Sequence, residues 1–340
     1  MTATTTDRRR ADPVLPAPRG PLSAGVLAAL TAPRRLPPDA SEAMSADPYG
    51  EDLQLALYVL YELHYRGFAG VEDDREWDPA LQPLRRALED RFLGALRADV
   101  PSGRGADEAF GDLLVESTDH RDSVAYHLEH DGELWQLREY AVLRSLYHLK
   151  EGDPHTWVIP RLTGRAKAAM VAVQYDEYGA GHAENLHARL FADLMEDLGL
   201  DTEYGRYLGV VPGVALATVN LMTLFGLRRS LRGSLVGHFA SVEVTSSPGS
   251  RRLARAMRRT GAGPAAERFY TEHVEADAVH EQVVRREVIG GLLADEPQLE
   301  ADVAFGADAT GFLEDRLGAH LLRAWRAGRS ALRAGPDPTG

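Results

Sequence analysis

Across residues 51–68 (EDLQLALYVLYELHYRGF) apolar positions are too dense for strand alternation. Leu53, Leu55, Leu57, Val59, Leu60 and Leu63 instead cover a broad helical face. Asp78-Pro79 reads as the N-cap and first residue of a second helix over 78–98. Its Leu81, Leu84, Leu88, Phe92 and Leu96 follow at helical spacing. The pattern predicts further helices near 105–129 and 132–151, then one from Asp153-Pro154 to about Tyr178 with a break near Gly164. Others are expected near 182–198, 203–225, 229–245, 249–259, 263–294, 296–304 and 309–334. Alternating β-branched runs bounded by glycine are nearly absent, and nothing repeats at a fixed period. The fold class is therefore all-α. Residues 1–45 are rich in Pro, Ala, Thr and Arg without a sustained period, and read as a disordered tail.

Composition narrows the function. The 340 residues fit one large domain or two ordinary ones. The absence of cysteine removes disulfides, thiolate metal sites, iron–sulfur clusters and thiol nucleophiles, and fits a cytoplasmic protein. A formal net charge of −13 argues against nucleic acid as a partner. The N-terminus lacks the apolar stretch of a secretory signal. The apolar run over 207–227 contains Pro212, Thr218, Asn220 and Thr223, and is expected to be a buried core helix rather than a membrane span.

The densest polar cluster is RFYTEHVEADAVHEQVV, residues 268–284. His273, Asp277 and His280 stand at i, i+4 and i+7, within roughly 60° of one another on a helix and along about 10 Å of its length. That span suits two ions with Asp277 between the histidines better than it suits one. In QYDEYGAGHAENLH, residues 174–187, Glu177 and His187 bracket Gly179 and Gly181. An unbroken helix would hold them about 15 Å apart, but glycine can kink or unwind it. Glu184 and His187 form a competing Glu-x-x-His pair of the kind used in di-iron bundles, so His187 has two candidate carboxylate partners. Glu243 lies in an apolar helix with Val236, Phe239, Ala240 and Val242, where a carboxylate is costly unless paired or bound to metal. His238 points about 140° away from it and reads as filler. Three carboxylates and three imidazoles without sulfur suit iron, manganese or zinc.

The order Glu177-x9-His187, Glu243, His273-x3-Asp277-x2-His280 resembles that of the haem-oxygenase-like di-iron oxidases and oxygenases, over roughly residues 131–335. The resemblance implies a seven-helix haem-oxygenase-like bundle as core, with residues 46–130 as an N-terminal helical extension. It implies two iron ions held by Glu177, His187, Glu243, His273, Asp277 and His280, and dioxygen as co-substrate. Members carry out N-oxygenation of amines, oxidative C–C cleavage or desaturation. N-oxygenating members resemble one another in an extra upstream carboxylate; Glu151 in YHLKEGDPHTW could supply it, with Glu139 as the rival. N-oxygenation of a small amine or amino-acid-derived intermediate is the leading expectation. A metal-free helical binding protein of the same fold is the non-enzymatic alternative.

N-oxygenation needs two reducing equivalents beyond those in the substrate, and no dinucleotide fingerprint follows a strand. An external reductant and an electron-donor partner are therefore expected. Arg138, Arg144, Arg161 and Arg165 are candidates for binding a substrate carboxylate. Trp135, Tyr147 and Trp157 are candidates for an apolar wall, and Tyr175, Asp176 and Tyr178 for orienting the imidazoles. Glu62, His64, His120, His127 and His130 of the extension read as scattered surface positions rather than a second metal site. The amphipathic 50–98 region is expected to pack on the core or on the partner subunit of a homodimer.

Overall fold

The structure, a computed structural model, describes residues 12–32, 35–101, 103–115 and 122–334, apart from the side chains of residues 275–279. Among the described residues there is no strand. Five helices precede the core: α1 (Pro21–Thr31), α2 (Glu51–Glu62), α3 (Gln82–Asp99), α4 (Ala106–Leu113) and α5 (Val124–His130). The core helices follow as α6 (Leu134–His148), a short α7 (Asp153–Thr156), α8 (Gly164–Glu177), α9 (His187–Asp197), α10 (Gly213–Leu227), α11 (Arg232–Thr260) and α12 (Pro264–Val283). A π-helical turn (Val284–Ile289) leads from α12 into α13 (Gly290–Asp295), and α14 (Glu300–Arg326) closes the bundle. Setting aside the short α7 and α13, seven core helices remain, and the architecture is the all-α, haem-oxygenase-like bundle that the sequence implied.

Several boundaries differ from expectation, each for a local reason. Residues 21–31 are not a structureless tail: Pro21 opens a helix whose Leu22, Val26 and Leu30 are buried, in a helix that packs on α2. Residues 1–11 lie outside the described residues. Asp78 accepts from the Ala80 amide to make a turn, and α3 begins only at Gln82. Pro212 flanks the start of α10, so the apolar run yields 15 helical residues, about 22 Å and too short for a bilayer core. Its polar residues are satisfied inside: Asn220 Nδ2 donates to Gln54 Oε1 at 2.8 Å, and Tyr65 pairs with Thr223 at 3.0 Å. No helix among the described residues is long and apolar enough to cross a membrane. Helices α11 and α14 each continue through an expected gap, α11 despite Pro248 inside it.

The central contact is α11 against its neighbours α12 and α14. At the α11–α14 crossing, a Cβ on Gly237 would collide with the Val303 carbonyl, and one on Gly306 with the Ser234 carbonyl. Glycine at both positions lets the two backbones touch. Leu235, Val236, Phe239, Val303, Leu313 and Leu317 are buried around this axis. The extension is part of the same core: α2 packs on α10, α4 on α14 and α5 on α11.

Candidate metal centre

Two groups of acids and imidazoles meet inside the bundle. One comprises Glu151, His187 and His273, the other Glu177, Glu243 and His280. Within each group one potential ligand atom per residue lies within 4.8 Å of the others, and all six residues are buried. The groups adjoin: Glu177 Oε2 lies 3.0 Å from His187 Nδ1, and the His187 and His273 rings are 4.5 Å apart. Asp277 stands on α12 between His273 and His280, but its side chain lies outside the described residues.

The break between Glu177 and His187 is what brings these partners together. Glu177 is the last residue of α8, and Gly179, Ala180 and Gly181 all adopt positive φ (69°, 52° and 85°). The chain reverses there and returns so that His187 opens α9. A Cβ on Gly179 would sit 2.7 Å from the Asn185 and Leu186 backbone, so glycine is required by space as well as by φ. Of the two carboxylates open for His187, this geometry places Glu177 beside it. Glu184 is on an exposed turn beside His182, whereas Glu177 faces His187 in the interior. It also separates the upstream rivals. Glu139 accepts from Trp325 Nε1 and the Ala331 amide, each at 2.9 Å, and belongs to the structural core. Glu151 instead reaches His148 and His273.

The donor atoms suit a bound cation. His273 Nδ1 lies 2.7 Å from the Phe269 carbonyl; a carbonyl only accepts, so this nitrogen carries the proton and Nε2 offers a lone pair. That Nε2 is 3.6 Å from Glu151 Oε1. Glu151 Oε2 and His187 Nδ1 are buried without a hydrogen-bond partner; the latter is close to Glu177 but not aligned for a hydrogen bond. His280 sits between carboxylates, with Nδ1 3.2 Å from Glu243 and Nε2 3.1 Å from Asp176. Asp176 can thereby fix the ring, as carboxylates behind metal-bound histidines do. Burial alone would push the Glu151 carboxyl up, but His148 and His273 outweigh it and hold it well below the usual range. Burial opposes protonation of His280, yet Glu243, Asp176 and Glu177 raise it to about 9. His187 is raised as well, Glu177 overcoming its burial. Protonated His187 and His280 thus supply positive charge beside Glu177 and Glu243, a role that metal ions could equally fill. The nitrogen and oxygen donors suit iron, manganese or zinc.

A cavity of about 310 Å³ adjoins the first group, with Glu151, His148 and His273 in its wall. Of the four arginines singled out above, only Arg144 lines it. Arg138 donates to the Leu198 carbonyl, Arg161 bonds the carbonyls ending α10, and Arg165 pairs with Glu287 at the surface. Tyr147 lines the cavity. Tyr178 donates to Asp153, and Tyr175 is exposed. In the extension, Glu62 and His64 are buried and paired with Lys150 and Glu76, while His120 lies outside the described residues.

The sequence reasoning missed His148, whose Nδ1 is 2.8 Å from Glu151, although their i, i+3 spacing was a usable signal. It also missed Glu314, which chelates Arg144 from a helix 170 residues away; no sequence signal links that pair. His238 is a core residue, paired with Thr310 at 2.8 Å and also lining the cavity.

Comparison with known proteins agrees with this setting. Residues 138–314 match the family described as iron-containing redox enzymes, a span that contains all six clustered residues. A nitrosourea synthase of Streptomyces achromogenes subsp. streptozoticus is 26% identical over 145 residues, which is 43% of this chain. The match spans 31% of that relative's own length.

Proposed function

The chain belongs to the iron-containing redox enzymes and is an oxidoreductase, and from this premise we propose that it is a di-iron, dioxygen-activating oxygenase that N-oxygenates a small amine or amino-acid-derived intermediate. The observation that carries the proposal is the adjoining pair of buried triads, one acid and two imidazoles beside two acids and one imidazole. Glu151, His187 and His273 would hold one iron; Glu177, Glu243 and His280 would hold the other, with Asp277 placed by its spacing to join them. Nitrogen as the reacting atom is favoured by the relative, whose name denotes synthesis of a nitrosourea.

When bound, the irons supply the activation of dioxygen and the two-electron chemistry. The residues of the chain do the rest. The Phe269 carbonyl fixes the His273 tautomer, Asp176 steadies His280 from behind, and His148 holds one Glu151 oxygen. Leu253, Met222, Phe269 and Leu313 line the adjoining cavity and keep the reacting substrate away from bulk water. The two extra electrons for N-oxygenation would come from an external donor.

Anaerobic titration with ferrous ion should load two irons per chain. His280→Ala should lose one of them and all turnover while the far-ultraviolet helical signal is unchanged. Full iron loading with normal turnover in that variant contradicts the assignment. Product mass after turnover under isotope-labelled dioxygen tests the reaction type: label on substrate nitrogen supports N-oxygenation, whereas unlabelled desaturated or cleaved product refutes it.

A further inference from the structure

The cavity beside the first triad carries a charged pair at a distance from the acids and imidazoles. Arg144 donates through Nη1 and Nη2 to the two oxygens of Glu314, at 2.8 and 2.5 Å. Both residues line the cavity. Although protein surrounds them, their side chains keep 21% and 36% of their surface accessible. An ion pair with this much accessible surface contributes little to folding, and both of its members stand in the cavity wall. The guanidinium has five N–H donors; the fork to Glu314 uses two, and Tyr140, in the same cavity wall, engages it as well. Each Glu314 oxygen can accept again.

His238 adds a further acceptor at the same cavity. The Thr310 hydroxyl donates to the Gly306 carbonyl at 2.7 Å, so His238 Nδ1 must donate to Thr310. The other nitrogen, Nε2, is then a bare acceptor, and it is buried without a hydrogen-bond partner. Arg144, Glu314 and His238 therefore offer donors for an anion and acceptors for a cation at one place, with no net charge between Arg144 and Glu314. A lone carboxylate would meet Arg144 but also Glu314, and a lone amine the reverse. A zwitterion satisfies both.

We infer that Arg144, Glu314 and His238 form the receptor for the head group of an α-amino acid, the carboxylate on Arg144 and the ammonium on Glu314 and His238. Arg144 and His148 lie one turn apart on α6 and Glu151 nearly a turn beyond, a reach of about 10 Å. An extended side chain such as that of lysine or methionine spans that reach and brings its far end to the Glu151–His273 wall. This inference names the substrate class for the oxygenase reading above and rests on it for the reaction, but the binding itself needs no iron.

The test is calorimetry and thermal shift on the full-length protein with each of the twenty common L-amino acids at millimolar concentration. At least one should bind saturably. The matched amine lacking the carboxylate and the matched acid lacking the α-amino group should each bind at least roughly tenfold more weakly, because each meets one member of the pair favourably and the like-charged member unfavourably. For lysine these are cadaverine and 6-aminohexanoate. Arg144→Met/Glu314→Met, which removes both charges and leaves neither buried alone, should fold, load iron like the wild type and lose amino-acid binding. Equal affinity for the truncated ligands, no binding by any amino acid, or undiminished binding by the double variant overturns the inference. Two irons per chain with indifference to amino acids would sink the receptor and leave the oxygenase reading. Amino-acid binding without iron loading would do the opposite.

Discussion

Lys150 and Glu151 are neighbours in sequence, yet they serve two unlike kinds of buried charge. Lys150 turns toward the extension, where Nζ lies 2.8 Å from Glu62 Oε2 and 4.0 Å from the centre of the Tyr65 ring. Tyr204 donates to the other Glu62 oxygen at 2.6 Å. Every oxygen of Glu62 is met by a fixed donor that the chain itself supplies. Glu151 turns into the core, where one oxygen meets His148 and the other has no hydrogen-bond partner. Glu177 and Glu243 likewise face imidazoles, which can bind either a proton or a metal. The contrast teaches how to separate structural acids from site acids. A buried carboxylate closed by lysine, tyrosine or tryptophan is finished; one that faces lone pairs calls for a cation from outside. Glu139, closed by Trp325 and a backbone amide, falls with the finished ones.

The largest effect should come from opening the closed pair. Glu62→Ala leaves Lys150 charged and buried, and should cost about 3–5 kcal/mol in urea unfolding of the iron-free protein. A loss below about 1 kcal/mol would erase the distinction.

His238 offers an intermediate case, a buried base that stays uncharged, with Nδ1 bonded to Thr310 and Nε2 unbonded. Burial lowers it to about 4, against a weak opposing pull from Glu314, and its ring neighbour His155 is lowered too, by burial and by His238 itself. Above the unfolded value near pH 6.5 its contribution to stability is fully present. As pH falls from about 6.5 to 4 the unfolded chain takes up a proton that the folded chain refuses, so stability declines by about 3 kcal/mol. Denaturation of His238→Gln across that window should show a total decline smaller by about that amount; an unchanged decline would mean the folded state protonates His238 freely.

The smallest stability effect is expected at the open site. Glu177→Gln removes a carboxylate that the iron-free fold neutralises only with imidazolium, so the unloaded variant should unfold within about 1 kcal/mol of wild type. Its iron content should nevertheless fall. Strong destabilisation with normal iron loading would move Glu177 into the same class as Glu62.

Much of this molecule was legible in one dimension because helices write their periodicity locally. The apolar stripes of α2 and α3 identified the class, and the i, i+4, i+7 spacing of His273, Asp277 and His280 marked a candidate metal site. Glu243 stood out because a carboxylate in an apolar stretch needs a reason. Boundaries were harder wherever tertiary packing overrode local signals. Helix α1 forms in a proline-rich stretch because α2 offers it an apolar face, and α11 continues through Pro248 because α12 and α14 hold it on both sides.

What the sequence by itself determined was an all-helical chain and the residue types of its chemistry, since both follow from short-range periodicity and from the cost of burying charge. Only the tertiary structure decided which carboxylates converge. Glu177 over Glu184 depended on three consecutive positive-φ residues, and Glu151 over Glu139 on where Trp325 packs. The joining of Arg144 to Glu314 across 170 residues was equally invisible. Such choices are set by distances between helices, and a linear pattern of polar and apolar residues records the faces of each helix but not which faces meet.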